Sequence, residues 1–240
     1  MNMMEQYDEL WPGGPGFLRD DAFPLSTDSV LLAHFAARLR AKRIFDLGCG
    51  AGALTVLLGL SHPGAGLGGI ELRGEAAELC RKNLRANGLD ASGILTGDFR
   101  ERRSLPRAGE YDLVVANPPY FPVGSGYSAP DGERAAARDE RTGGLEDVCA
   151  AAAYLCRWGG AFALVHRPER LAELMVAMHG HGLEPKRLRM VQHRPERAPN
   201  LMLIEGRRGG RPGLTVEAPL LLCDAFGGDS PEIKAIYHME

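Results

Sequence analysis

The sequence predicts an α/β fold: a seven-stranded, mostly parallel sheet whose last strand is antiparallel, with helices in the connections. Three observations carry this reading. Short apolar runs recur along the chain, at Ile44-Phe45-Asp46-Leu47, Leu67-Gly68-Gly69-Ile70, Leu113-Val114-Val115-Ala116 and Ala161-Phe162-Ala163-Leu164-Val165, with helix-length connections in the pattern. The first run enters a glycine-rich turn, Gly48-Cys49-Gly50-Ala51-Gly52, followed by the helical apolar set Leu54, Val56, Leu57 and Leu58. Near the end, residues 186–192 and 200–205 alternate in polarity about a bend, which predicts a closing antiparallel pair. At 240 residues, 45% of them hydrophobic, the chain is sized for one large core. The expected division is an irregular segment over residues 1–25 and a single domain over 26–240.

Charge and cysteine usage narrow the class. A net charge of −3 excludes a uniformly cationic surface, so any nucleic-acid contact must come from local basic patches. Cys49, Cys80, Cys149, Cys156 and Cys223 contain no CxxC pair and are odd in number. They read as reduced thiols of a cytoplasmic protein without a zinc or other metal site. No apolar run approaches the roughly 18 residues that span a bilayer, and the polar, acidic start lacks the regions of a signal peptide, so no membrane partner is expected.

In order, residues 1–25 are rich in Gly and Pro, and Phe17 and Phe23 are expected to anchor them. Ser26 or Thr27 caps the first helix, with Asp28 in its first turn and Val30, Leu31, Ala33, His34 and Leu39 facing inward. The strand ending at Leu47 runs into the glycine turn. Gly48, Gly50 and Gly52 let backbone approach a ligand, and the following helix N-terminus offers unpaired N–H groups, so a cofactor belongs there. Nineteen residues after Gly52, Glu71 ends the next strand, placed for a ribose diol. After the third strand, Asp98 could accept from an adenine amino group and Phe99 could pack on the base. This turn also satisfies the dinucleotide fingerprint, so alone it does not separate a nicotinamide cofactor from another adenosine cofactor. Asp46 favours the latter, because it would repel a pyrophosphate and suits a cationic amino-acid moiety.

The fourth strand, residues 111–116, stops at Asn117-Pro118-Pro119-Tyr120-Phe121. Two successive prolines fix φ and remove two donors, leaving carbonyls free to accept. Asn117 Oδ1 and the Pro118 carbonyl can accept from an amino group on a planar heterocycle, and Tyr120 can stack on its ring. That is a site for transfer to an exocyclic nitrogen.

Asp46-Leu47-Gly48-Cys49-Gly50-Ala51-Gly52, with Glu71, Asp98 and Asn117-Pro118-Pro119-Tyr120, resembles the class I S-adenosylmethionine-dependent methyltransferases that act on amino groups. The resemblance covers most of residues 26–206. It implies the Rossmann-like class I methyltransferase fold and S-adenosyl-L-methionine as cofactor. It also implies cofactor contacts from Asp46, Gly48, Gly50, Gly52, Glu71, Asp98, Phe99 and Asn117, and a catalytic set of Asn117, Pro118, Pro119 and Tyr120. The acceptor is an adenine or cytosine amino nitrogen, or a glutamine amide of release factors. More finely, Leu25-Ser26-Thr27-Asp28-Ser29-Val30-Leu31-Leu32, Asn-Pro-Pro-Tyr-Phe, Ala137-Arg138-Asp139-Glu140 and Gly143-Gly144-Leu145-Glu146-Asp147 resemble the bacterial tRNA adenine methyltransferases that modify adenine 37 of a valine tRNA. Asp139 departs from the histidine expected there. The glutamine methyltransferases carry an added N-terminal helical domain, for which residues 1–25 leave no room.

The Gly-rich stretch 121–144, with Arg134, Arg138 and Arg141, is too long for a simple connector and reads as a substrate arm. Tyr120, Phe121, Arg138 and Arg194 are the expected substrate contacts. A helix is expected over 145–158, closed by Gly159-Gly160, and another from Pro168 with Leu171, Leu174, Met175 and Met178 inward. Lys186, Arg187, Arg189, Arg194, Arg197, Arg207, Arg208 and Arg211 face only Glu196 and Glu205 in their own span. This excess reads either as a phosphate-contacting edge for tRNA or as an ordinary solvated strand edge. The oligomeric state is not legible.

Overall fold

In the computed structural model, which describes residues 7–18, 25–120 and 144–239, the apolar runs assemble into one sheet. Strands β1 (Tyr7–Glu9) and β2 (Gly16–Leu18) pair as a separate hairpin. In the main sheet, β3 (Arg43–Leu47) is central, with β4 (Gly66–Glu71) and β5 (Ile94–Thr96) on one side and β6 (Tyr111–Ala116) and β7 (Cys156–His166) on the other. These five run parallel. β8 (Leu183–Gln192) lies beyond β7, and β9 (Leu201–Arg208) inserts antiparallel between the two. Seven strands, the last reversed, are the predicted sheet. Two further strands, β10 (Thr215–Val216) and β11 (Leu220–Leu221), add in parallel to β8. Two residues carry no period, so nothing in the sequence announced them.

Helices cover both faces. On one lie α1 (Thr27–Ala36), α2 (Ala53–Ser61) and α3 (Gly74–Ala86), packed on Ile44, Leu113, Val115, Ala163 and Val165. On the other, α4 (Leu145–Leu155) and α5 (Leu171–Gly180) pack on Phe45, Val114, Ala116, Phe162 and Leu164. Successive strand residues thus feed opposite layers, which is why the strands are apolar throughout rather than alternating. Burying each such Leu, Val or Phe contributes about 1.5–3 kcal/mol. The predicted cap forms: Ser26 Oγ accepts from Asp28 N at 3.2 Å.

Two details differ from the sequence reading, and a third element had no reading in the sequence. The N-terminal segment contains the β1–β2 hairpin rather than irregular chain. Phe17 is buried, and Asn83 and Asn87 of the α3 end bond the β2 backbone at 2.9 and 3.1 Å. Phe23 lies outside the described residues. Second, α4 ends at Leu155 rather than at Trp158, because Cys156 already pairs with Tyr111 and Arg157 Nε donates to Asp112 at 2.6 Å. Gly159 and Gly160 form the β7 irregularity instead: Gly159 has φ 77°, and a side chain on Gly160 would meet backbone at 2.9 Å. Third, the C-terminal stretch forms α6 (Pro231–Ile236), capped by Ser230, with Ile233 and Ile236 buried and Tyr237 and His238 against Trp11.

Candidate active site

The chain leaves β3 toward β4 and β5, then returns on the other side as β6 and β7, so the topological switch lies between β3 and β6 at their carboxyl ends. Register places Leu47 opposite both Ile70 and Ala116, and Ala116 opposite Leu164. The glycine turn, Glu71, Asn117 and His166 therefore share one edge of the sheet. Gly48, Gly50 and Gly52 have φ of 73°, 52° and 88°, in the left-handed region, so the turn requires glycine at all three. A side-chain carbon on Gly48 or Gly50 would meet nothing within 4 Å, which leaves open space against the backbone there. At Gly52 the same carbon would lie 2.6 Å from Cys80 Sγ. This glycine lets α3 close on the turn.

Two carboxylates flank the turn. Glu71 Oε2 accepts from Gly50 N and Oε1 from Arg73 N, both at 3.0 Å, so its position is set before any ligand arrives. Asp46 is buried beneath the turn and accepts from Thr55 Oγ1 of α2 at 2.7 Å. Burial, opposed by the Thr55 bond and reinforced by the charge of Glu71, raises the Asp46 carboxyl to about 7 from its ordinary 3.8. The folded chain keeps this proton where an unfolded aspartate has lost it. Its contribution therefore favours folding fully below pH 3.8, declines as pH rises toward about 7, and is level above. A cationic ligand favours the ionised form. S-adenosylmethionine affinity is thus expected to rise through pH 6–7, and Asp46→Asn to remove that rise in calorimetric titrations; a parallel profile in the variant would refute the assignment. Open backbone at Gly48 and Gly50 beside an ordered carboxylate fits an adenosine cofactor. Asp98, past β5, is clamped by the Arg100 guanidinium at 2.6–3.0 Å, which holds its carboxyl below the usual range. Phe99 beside it packs partly on the core.

At the end of β6, Pro118 is buried and Asn117, Pro119 and Tyr120 are half-buried. Asn117 Nδ2 donates to Ser29 Oγ at 3.0 Å. The Tyr120 hydroxyl contacts Asp28 Oδ2 and lies 3.2 Å from Asn117 Oδ1. Its ring meets His166 edge-on at 5.2 Å, with the Arg167 guanidinium over it at 5.1 Å. His166 is fully buried, and neither ring nitrogen finds a partner at hydrogen-bonding geometry among the described residues. Burial lowers its pKa, so the ring is neutral at pH 7. The sequence reading assigned no role to Ser29, Thr55, His166 or Arg167, because each acts through a partner distant in sequence. Only the Ser26-Thr27-Asp28-Ser29 string, quoted as part of a resemblance, carried a signal.

The expected basic edge divides. Arg187 pairs with Glu205 at 3.0 Å and Glu217 at 3.4 Å and lies over the Phe35 ring; Arg189 takes Glu232 at 2.5 and 2.7 Å. Both are largely buried and neutralised, Arg187 by Glu205 of their own span and by Glu217, Arg189 by Glu232, the last two acids lying beyond it, so they do not form a phosphate edge. Arg194 and Arg197 stay in the 193–200 loop, at the same sheet end as Asn117. Phe121, Arg134, Arg138, Asp139 and Arg141 lie outside the described residues. Among the described residues no cluster of three His, Cys, Asp or Glu side chains is placed to hold a metal, and no helix is long and apolar enough to cross a membrane.

A switch-point glycine turn, an acid ending the next strand and an Asn-Pro-Pro-Tyr end on the neighbouring strand define an S-adenosylmethionine-dependent methyltransferase of the class I fold. The methyltransferase small domain family matches residues 25–128. The tRNA1(Val) (adenine(37)-N6)-methyltransferase of Porphyromonas gingivalis is 34% identical over 193 residues, 78% of this chain and 75% of that protein. The protein of the same name from Tolumonas auensis is 31% identical over 219 residues, 90% of this chain and 88% of that one. Among solved structures, a predicted O-methyltransferase from Agrobacterium tumefaciens superposes with a TM-score of 0.72 at 26% identity, over 89% of this chain and 96% of that one. A T. thermophilus 16S rRNA N2 G1207 methyltransferase, in complex with AdoMet and guanosine, shares the fold at a TM-score of 0.55 and 22% identity, over 80% and 46% of the two chains. The chain belongs to the family of the tRNA1(Val) (adenine(37)-N6)-methyltransferases.

Proposed function

We propose that this enzyme methylates the exocyclic N6 nitrogen of adenine in tRNA, at adenine 37 of the anticodon loop. The observation that carries the reading is Asn117-Pro118-Pro119-Tyr120 at the end of β6, one strand from the glycine turn, with the Asn117 amide already held. The names of the relatives support tRNA and position 37. S-adenosylmethionine supplies an electrophilic methyl group. Gly48, Gly50, Gly52, Glu71, Asp98 and Phe99 are its proposed contacts, with Asp46 setting charge beneath the turn. Asp98 must release part of its bond to Arg100 to meet an adenine amino group.

An exocyclic adenine nitrogen is a poor nucleophile because its lone pair is delocalised into the ring. Asn117 Oδ1 and the Pro118 carbonyl accept its two N–H bonds, which favours pyramidal nitrogen and stabilises the positive charge that develops there. Tyr120 holds the unstacked base, which takes the place of the Arg167 guanidinium over the ring. An anticodon-loop base costs less to extrude than one in a duplex. Arg194, Arg197 and Arg138 are proposed to contact the RNA backbone. A tRNA substrate and five free cysteines favour the cytoplasm.

The test is transfer of labelled methyl to total tRNA, ribosomal RNA and DNA, with nucleoside analysis of each. N6-methyladenosine at position 37 of a tRNA is expected. Label confined to ribosomal RNA or DNA, or absent from all three, would sink the proposal.

A further inference from the structure

Asn117 and Tyr120 are held from outside their own strand. Their partners, Ser29 and Asp28, lie 88 and 92 residues earlier, in the first turn of α1. That turn is fixed by the Ser26 cap, and Ser29 is 8% exposed, so its hydroxyl has little freedom to leave the amide. The geometry matters because an asparagine amide has nearly the same shape in two orientations related by a half-turn. One presents an acceptor to an amino group and the other presents a donor. With Nδ2 given to Ser29 Oγ at 3.0 Å, Oδ1 faces Tyr120 at the strand end.

The proton inventory points the same way. Tyr120 has one phenolic proton and two acceptors within reach, the Asp28 carboxylate and Asn117 Oδ1. The proton serves both acceptors, so the Asn117 carbonyl oxygen and not its NH2 is the end that suits the phenol. The amide is thus held at both ends, Nδ2 by Ser29 Oγ and Oδ1 by the Tyr120 hydroxyl, and Oδ1 has a second lone pair for an incoming amino group.

We propose that Ser29 is a positioning residue for methyl transfer, locking the Asn117 amide with Oδ1 toward the reacting nitrogen. The inference rests on the amino-group reading above. Without the hydroxyl, Asn117 Nδ2 loses its fixed acceptor and the amide samples the turned orientation, in which two donors confront each other. The chemical step then slows while neither ligand loses a contact of its own.

The experiment compares the full-length enzyme with Ser29→Ala and Ser29→Thr. The alanine variant is expected to lower kcat about tenfold, the scale of one lost hydrogen bond, with unchanged S-adenosylmethionine Kd and tRNA KM and a melting temperature lower by no more than about 2–4 °C. The threonine variant, which keeps the oxygen, is expected to recover most of the rate. In parallel, asparagine-selective 15N spectra, with the Asn117 side-chain NH2 identified by its absence in Asn117→Asp, should show that resonance shifting in Ser29→Ala. An unchanged kcat in the alanine variant, or an unmoved Asn117 resonance, would overturn the proposal. So would a loss that appears in the cofactor Kd rather than in kcat. The spectra read the lock without turnover. If the wild-type enzyme methylates some other amino group, the substrate reading fails, while the kcat ratio on that acceptor and the spectra still decide on Ser29.

Discussion

Asn117→Ala is expected to cut turnover about 10²–10³-fold, the scale seen when one preorganised polar group facing developing charge is removed. The substitution removes the side-chain oxygen that accepts from the target amine, and it releases Ser29 Oγ, 3.0 Å away. It leaves the glycine turn untouched, because Glu71 and not Asn117 fixes Gly50. S-adenosylmethionine affinity by calorimetry should therefore be unchanged. The stability change should be that of one half-buried hydrogen bond, about 1 kcal/mol, or roughly 2–4 °C in melting temperature. Single-turnover transfer of labelled methyl separates the outcomes. Retained rate would remove Asn117 from the chemistry, and a rate lost together with cofactor affinity would make it a cofactor ligand instead.

Gly52→Ala should act on the other half of the site. At φ 88° any side chain is strained, and here the added carbon would also sit 2.6 Å from Cys80 Sγ and 3.1 Å from its Cα. The sulfur can turn aside but the Cα cannot, so α3 must move from the turn. Strain and displacement together should cost roughly 2–4 kcal/mol, a fall of about 5–15 °C in melting temperature. Cofactor affinity should fall at least about tenfold, the equivalent of 1.4 kcal/mol. Gly50→Ala provides the contrast, since φ of 52° is strained but open space surrounds the new carbon. It should destabilise less. Equal melting temperatures for the two variants would mean that the close approach of Cys80 to the turn is not what demands glycine at position 52.

How much of this was legible in advance depended on the distance over which each feature is determined. The alternation of strands and helices, the reversed last strand, the Ser26 cap, the glycine turn and the strand that stops at Asn117-Pro118-Pro119-Tyr120 follow from periods and punctuation spanning a few residues. They could be read along the chain, as could the cofactor class that those motifs imply together. What Asp46, Arg187, Arg189 and Asn117 do could not. Asp46 looks like a site carboxylate in sequence, yet it faces inward to Thr55 because β3 directs alternate residues into opposite layers. Arg187 and Arg189 read as free cations until β8 pairs with β9 and α6 folds back, bringing Glu205, Glu217 and Glu232 against them. Ser29 meets Asn117 only because α1 packs on β7, the strand beside β6. Local geometry is fixed by sterics and capping within a turn or two, whereas the partner of a buried polar group is whichever group the sheet register brings to it. The sequence by itself therefore determined which elements form and which cofactor class they suit, and only the tertiary structure decided which side chains are already paired and which remain to meet a ligand.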